Sequence, residues 1–235
     1  MAVAAATAQP TLPTALVAGA NGLTGSALVR LMLRHGDYAR VEALTRRPLP
    51  IEHPRLVNRI LNYGELAARL GGASCDHAFC CLGAAGGPRA AAAQLRNVDL
   101  DLALAFARAA RAAGATRLIV ISAAGAARAA HSDYRRIKGE LEASLRGLKF
   151  SALDILQPGV VLGDRPGSSA VDVLRQVVAP LVNVAMVGRL QELRWMSGAD
   201  LAAAMLGAAR GQRTGVNSYS GKRLQQLTAT GARAA

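Results

Sequence analysis

Residues 134–138 read Tyr-Arg-Arg-Ile-Lys. On a helix, Tyr134 and Lys138 share a face, because positions four apart stack one above the other. A free tyrosine titrates near about 10 and is a poor proton shuttle at neutral pH. An ammonium beside it favours the tyrosinate and lowers that value. Tyr134 can then give a proton to a carbonyl oxygen or take one from an alcohol. Upstream, Ser122 ends the apolar run Leu118-Ile119-Val120-Ile121. Active sites in parallel sheets open at the C-terminal ends of strands. A hydroxyl there can hydrogen-bond the carbonyl beside Tyr134. Each residue also has an ordinary reading, since such a Tyr/Lys pair occurs on surface helices and Ser122 could equally be a plain strand-end hydroxyl.

These groups need a reaction partner, and the N-terminal region suggests one. Gly19-Ala20-Asn21-Gly22-Leu23-Thr24-Gly25 follows the apolar run Ala15-Leu16-Val17-Ala18 and precedes Ser26 to His35, a stretch rich in Leu, Val and Met. Strand, glycine turn and helix in this order place free backbone N–H groups at a helix N-terminus, where they and the helix dipole attract pyrophosphate. Gly19 allows the tight turn, Gly22 the close approach of phosphate, and Gly25 the packing of helix on strand. The spacing is GxxGxxG rather than GxGxxG, and it gains weight from its position after a strand and before a helix.

The next apolar run, Val41-Glu42-Ala43-Leu44, leads into Thr45-Arg46-Arg47-Pro48. In a dinucleotide-binding fold this strand end meets the adenosine ribose; a carboxylate there binds the 2′-hydroxyl of NAD, whereas arginine accommodates the 2′-phosphate of NADP. Here two arginines stand at the tip and Glu42 lies earlier, so the expected cofactor is NADPH (NADP+) in preference to NADH. The same two arginines could also be solvated loop charges. Cys80-Cys81-Leu82-Gly83 ends a fourth apolar run, and Gln157-Pro158-Gly159-Val160 follows a sixth. Both are places where backbone can pass close to a cofactor, although Pro-Gly is also a general turn signal.

Strands are expected near 15–19, 41–45, 55–60, 77–82, 117–122 and 150–156. Helices are expected near 23–35, 65–70, 89–113, 133–146, 168–179 and 198–209. Their alternation implies an α/β fold: a Rossmann-type, doubly wound parallel sheet with helices on both faces. Residues 1–13, Ala-rich with two prolines, read as a flexible tail, and 14–235 as a single domain with a small C-terminal substrate-side region over about 160–198. Gly114 should end the helix before it, and Ser197 or Asp200 should cap the helix through Met205.

Composition narrows the function class. A chain of 235 residues that is 51% hydrophobic suits one globular α/β domain. No apolar stretch reaches the length of a membrane span, and the N-terminus lacks the pattern of a signal peptide. The formal charge is +13, yet the arginines are scattered and aromatics amount to 3%, so no specific nucleic-acid binding is expected. Cys75, Cys80 and Cys81 read as buried thiols, with Cys80 and Cys81 on opposite faces of a strand and no spacing that suggests a metal. A cytoplasmic location follows from these features.

The order GANGLTG, TRRP, CCLG, NVDLDLALAFARAARAAG, IS, YRRIKGE and PGVVLG resembles the short-chain dehydrogenase/reductase superfamily. More narrowly it is similar to the atypical NADP-binding branch that includes the Tat-interacting-protein-like oxidoreductases. The more specific marks are CCLG and the stretch Tyr134, Lys138, Gly139, Glu140 and Glu142. The resemblance implies NADPH binding and a Ser122–Tyr134–Lys138 active site, with Tyr134 and Lys138 also touching the cofactor. By position, Asn97 matches an asparagine of extended members, as a structural group or part of a proton relay. The chain departs from the branch at Ala123 and Ala124, where a second serine and a lysine are common, and at Gln157, where arginine is common.

The expected activity is NADPH-dependent reduction of a small or medium apolar carbonyl compound. The expected substrate wall includes Leu162, Val171, Leu174, Met186 and Trp195, residues that could equally form core or homodimer contacts. The alternative is a non-catalytic NADPH-binding regulatory protein that acts through a protein partner.

Overall fold

Strand β1 (Thr14–Ala18) illustrates how the sheet is built. Its apolar residues alternate between two cores, Leu16 and Ala18 facing one and Ala15 and Val17 the other. The same split runs through β4 (His77–Cys80), with Ala78 and Cys80 on one side and Phe79 on the other. It recurs in β5 (Arg117–Ile121), with Leu118 and Val120 opposed to Ile119. Strands apolar on both faces must be covered on both faces. In this computed structural model the described residues are 12–62, 65, 74–162 and 195–233.

Helix α1 (Leu23–His35) covers one face with Leu28, Val29 and Met32, alongside α5 (Gly198–Arg210), which contributes Leu201, Met205 and Leu206. The other face is covered by α2 (Ala92–Leu95), a π-helical segment (Arg96–Leu102), α3 (Ala103–Ala112) and α4 (Asp133–Arg146). Phe106, Ile137, Leu141 and Leu145 are among the buried side chains of that face. Fully burying a side chain such as Phe79 or Phe106 contributes roughly 1.5–3 kcal/mol.

With β2 (Arg40–Thr45), β3 (Leu56–Ile60), β6 (Ala152–Leu156) and β9 (Gly215–Tyr219), the strands form a seven-stranded parallel sheet of order β3-β2-β1-β4-β5-β6-β9. The winding reverses between β1 and β4, where Ala18 pairs with Cys80. A ligand crevice opens at such a reversal, beyond the strands' C-terminal ends. Two short strands, β7 (Val160–Leu162) and β8 (Trp195–Ser197), pair in parallel apart from this sheet.

The α/β reading of the sequence holds, with informative differences. The helix expected over 89–113 is three helical segments rather than one, and a π turn replaces its middle. β6 starts at Ala152 rather than 150, since Lys149 adopts a left-handed φ of 53°. β9 and the final helix α6 (Gly221–Ala232) were not anticipated. β9 is an edge strand with few buried residues, so it lacks the apolar run that marks the others. Ser197 rather than Asp200 caps α5, and Asp200 closes the capping box by returning its carboxylate to Ser197 N–H at 3.3 Å. Gly114 follows α3 with a φ of 94°, as its place past a helix end requires. The helix expected at 168–179, nearly all of that at 65–70, most of the tail, and Val171, Leu174 and Met186 lie outside the described residues.

Beneath the crevice, buried charge joins the strands. Arg117 of β5 donates to Asp154 of β6 at 2.6 Å and to the carbonyls of Ala208 and Arg213. Tyr219 of β9 donates to the second Asp154 oxygen at 3.1 Å, which holds the edge strand to the sheet through a side chain as well as its backbone ladder.

Candidate active site

The glycine turn forms where the sequence placed it. Gly19 has a φ of 78°, and a Cβ there would stand 2.7 Å from the carbonyl oxygen of Cys81. The turn is therefore packed directly on the CCLG segment at the point of strand reversal. Gly22 N–H donates to Gly19 O at 2.9 Å, and Gly22 is the N-cap of α1 with no side chain capping that end. A Cβ on Gly25 would collide with Gly19 O, so helix and turn meet without side chains between them. Ala20, Thr24 and Gly25 are buried, Leu23 is partly covered, and Asn21 and Gly22 are exposed. The Asn21 amide donates to Arg47 O at 3.2 Å, which brings the TRRP loop beside the turn.

Arg46 and Arg47 are exposed. Glu42, 4% exposed, is turned to its own cations, Arg40 at 2.8 Å and Arg59 at 2.5 Å. No carboxylate of β2 is thus offered to a ribose, and the strand tip is basic. The residues fit a dinucleotide: an uncapped helix N-terminus for pyrophosphate, glycines where side chains would intrude, and guanidinium groups at the adenosine end. Cys81 N–H extends the β4–β1 ladder to Ala18 O at 2.9 Å, and Leu82 is buried while Gly83 is exposed. Burial pushes the Cys80 thiol up to about 11 and that of Cys81 well above its ordinary value, so both stay protonated. The two face opposite cores, Cys81 lying 3.6 Å from the Met205 sulfur.

Helix α4 carries the second half of the site. Ser132 caps it, accepting from Arg135 N–H at 3.3 Å, and Asp133 lies in its first turn. Gly139 allows the chain at Ala127 to press on the helix, since a Cβ there would strike Ala127 backbone atoms. Lys138 is buried, and its ammonium sits 5.9 Å from the centre of the Tyr134 ring. It donates to Ile121 O at 3.2 Å and pairs with Asp99 at 2.7 Å. Burial works to strip Lys138 of its proton, but the Asp99 carboxylate, then Tyr134, outweigh it and raise the lysine above its ordinary value. Lys138 is therefore a charged ammonium beneath a partly exposed phenol.

Ser122 lies just beyond β5 and is 1% exposed. Its hydroxyl donates to Glu142 Oε1 at 2.5 Å, and the Gln157 amide donates to the same oxygen at 2.8 Å. Glu142, one turn after Lys138 on α4, thus joins the tips of β5 and β6. Beside this contact, Ala124 N–H donates to Pro158 O at 2.8 Å. Pro158 is buried, Gly159 partly covered and Val160 43% exposed. Ala123 and Ala124 are both buried.

Sequence reasoning pointed to Asn97 and passed over Asp99. Asn97 is exposed, while Asp99 is buried, its second oxygen accepting from Ala84 N–H at 2.9 Å. Asp99 stands four residues after buried Leu95 and four before buried Ala103, so helical spacing already set it on the inner face and Asn97 off it. Glu142 was visible only as a mark of resemblance; an acidic residue four after the lysine on the inner face of a helix was the available signal.

Comparison with known proteins agrees with the fold and with a dinucleotide-binding family. Residues 19–171 match the family described as NAD(P)H-binding. A protein named FMP52, mitochondrial, from Eremothecium gossypii is 36% identical over 154 residues, covering 64% of this chain and 67% of the relative. Protein HTATIP2 of Rattus norvegicus is 33% identical over 158 residues, 65% of this chain and 64% of the relative. The match thus spans about two thirds of those relatives. Among solved structures, MoeE5 in complex with UDP-glucose and NAD shares the fold with a TM-score of 0.65 at 20% identity, covering 92% of this chain and 81% of that one. A short chain dehydrogenase family protein from Francisella tularensis does so with a TM-score of 0.63 at 14% identity, covering 93% and 100%. No helix among the described residues is long and apolar enough to cross a membrane. With its glycine turn, strand order and these relatives, the chain belongs to the NAD(P)H-binding Rossmann family, in the branch of FMP52 and HTATIP2.

Proposed function

We propose that this protein is an NADPH-dependent oxidoreductase that reduces a small or medium apolar carbonyl compound. The observation that carries the reading is the charged, buried Lys138 beneath Tyr134. A lysine buried to this extent stays charged only because Asp99 and the Ile121 carbonyl hold it, and that charge sits beside a phenol whose ionisation a cation favours. When bound, the nicotinamide supplies hydride to the carbonyl carbon. Tyr134 gives its phenolic proton to the oxygen as the C–O π bond opens, and the resulting phenolate is stabilised by the Lys138 ammonium until solvent returns the proton. Arg46 and Arg47 hold the 2′-phosphate, and the first turn of α1 holds the pyrophosphate. The strand-tip segments Cys81–Gly83 and Pro158–Val160 border the nicotinamide end. Ser122 supports the site from behind, through Glu142.

The test is Tyr134→Phe. We expect turnover in a carbonyl and quinone screen to fall by about 10²–10⁴-fold with little loss of NADPH binding. Full activity in that variant would refute the assigned role.

One observation favours a second reading, a non-catalytic NADPH-binding regulator. The Ser122 hydroxyl is committed to Glu142 and its neighbours are Ala123 and Ala124, so this strand end presents little polar side chain. On that reading the unsubstituted chain binds NADPH but consumes none above background with any substrate of the screen.

A further inference from the structure

Asp99 is the least expected member of the site. It arrives on a π turn, an uncommon geometry that concentrates at functional positions and persists only where surrounding contacts hold it. Both of its oxygens are engaged. Oδ1 lies 2.7 Å from Lys138 Nζ and Oδ2 accepts from Ala84 N–H at 2.9 Å. The Lys138 and Asp99 side chains are 3% and 2% exposed. Ala84 immediately follows the Cys81–Gly83 segment, so the carboxylate also ties that segment to the helix bearing Tyr134.

We infer that Asp99 is the counterion that keeps Lys138 an ammonium beneath Tyr134, so that the reacting face is a Tyr134–Lys138–Asp99 unit rather than a tyrosine with a lone lysine. This deepens the reading of Tyr134 and Lys138 given above and rests on it for its catalytic meaning. The groups that face Lys138 bear this out. The π turn presents the Asp99 carboxylate, β4 presents the protonated Cys80 thiol, and β5 presents the neutral carbonyl of Ile121. On its own helix, Tyr134 is a phenol, and Glu142 is turned toward Ser122 and Gln157. Asp99 is thus the anion paired with the ammonium. A buried ammonium without a partner gives up its proton rather than stay charged in low dielectric. Asp99 is a positioning residue: it acts on the reaction through Lys138.

The chain's lysines are Lys138, Lys149 and Lys222, and the last two are exposed. Lysine labelled with ¹³C at Cε therefore gives a simple spectrum in which each ammonium can be titrated directly in the full chain, without cofactor or turnover. In the unsubstituted protein the Lys138 resonance should titrate at or above the pH of Lys149 and Lys222. In Asp99→Asn, which keeps an acceptor for Ala84 N–H but removes the charge, its midpoint should fall by about 2 pH units or more, below both exposed lysines. Asp99→Glu should restore it. A Lys138 midpoint in Asp99→Asn that stays with those of Lys149 and Lys222 overturns the proposal.

Should Asp99→Asn fail to fold, the double variant Asp99→Asn/Lys138→Met decides. Recovery of the fold means that the unpaired ammonium was the fault, and no recovery overturns the assignment. The two readings fail separately. An active Tyr134→Phe variant would remove the proton donor and leave the lysine titration as it stands, whereas an unmoved Lys138 would remove Asp99 from the unit and leave Tyr134 in place.

Discussion

The Ser122 hydroxyl donates across 2.5 Å to Glu142, and both side chains are buried. Ser122 Oγ therefore spends its proton inside the protein, joining the tip of β5 to the helix that carries Tyr134 and Lys138. We expect Ser122→Ala to destabilise the fold by about 1.5–3 kcal/mol, the worth of a hydrogen bond to a charged group. Its kcat/KM should fall less than about tenfold. Denaturant unfolding and steady-state kinetics check the two halves. A loss of about 10²-fold or more in turnover would show instead that the hydroxyl meets the substrate.

Arg46 and Arg47 stand exposed beside the glycine turn, and Glu42 is held by Arg40 and Arg59. Replacing both Arg46 and Arg47 by Ala should raise the NADPH dissociation constant about 10–100-fold, since charge-assisted bonds to phosphate are lost. NADH binding should change little. Cofactor fluorescence titrations decide it, and equal loss for both cofactors would contradict the assignment to the 2′-phosphate.

Gly19 combines a left-handed φ with contact to Cys81 O. Gly19→Ala should cost about 1–2 kcal/mol from backbone conformation alone. It should also push the turn away from the CCLG segment and weaken NADPH and NADH alike. Thermal melts and the same titrations measure both effects. Unchanged affinity for both cofactors would separate the turn from binding.

His77 of β4 lies 2.9 Å from the Tyr38 hydroxyl. Burial, then the neighbouring Arg117 charge, lower its pKa from 6.5 to about 4. The unfolded chain takes up this proton near 6.5 while the native state refuses it until about 4, so the unfolded state binds more protons between these values. Stability is accordingly full above 6.5 and is lost as the pH falls from 6.5 to about 4. In His77→Gln the fall in melting temperature across that window should be shallower than in the unsubstituted chain. Equal slopes would show that His77 does not contribute.

The sheet was legible because burial on both faces leaves long apolar runs, and the runs at Ala15–Ala18 and Leu118–Ile121 are of this kind. β9 was not, because Gly215-Val-Asn-Ser-Tyr sits at an edge and keeps polar side chains. Its place depends on Ala152 to Leu156 as a ladder partner and on the Tyr219 bond to Asp154, both far away in the chain. The glycine turn could be read because glycine is required where φ is positive or backbone touches backbone, a local demand that leaves a local mark.

What the sequence alone determined is therefore local: the strand–turn–helix at Gly19–Gly25, the basic tip at Arg46 and Arg47, and Tyr134 and Lys138 on one helical face. Each follows from periodicity, spacing or residue type within a few positions. Only the tertiary structure decided which carboxylates serve the site. Asp99 reaches Lys138 because its helical segment and α4 cover the same face of the sheet, and Glu142 takes the Ser122 hydroxyl because β5, β6 and α4 converge there. The physical reason is that a buried charge is tolerated only where distant segments bring it a partner, and that meeting is a property of packing rather than of neighbouring residues.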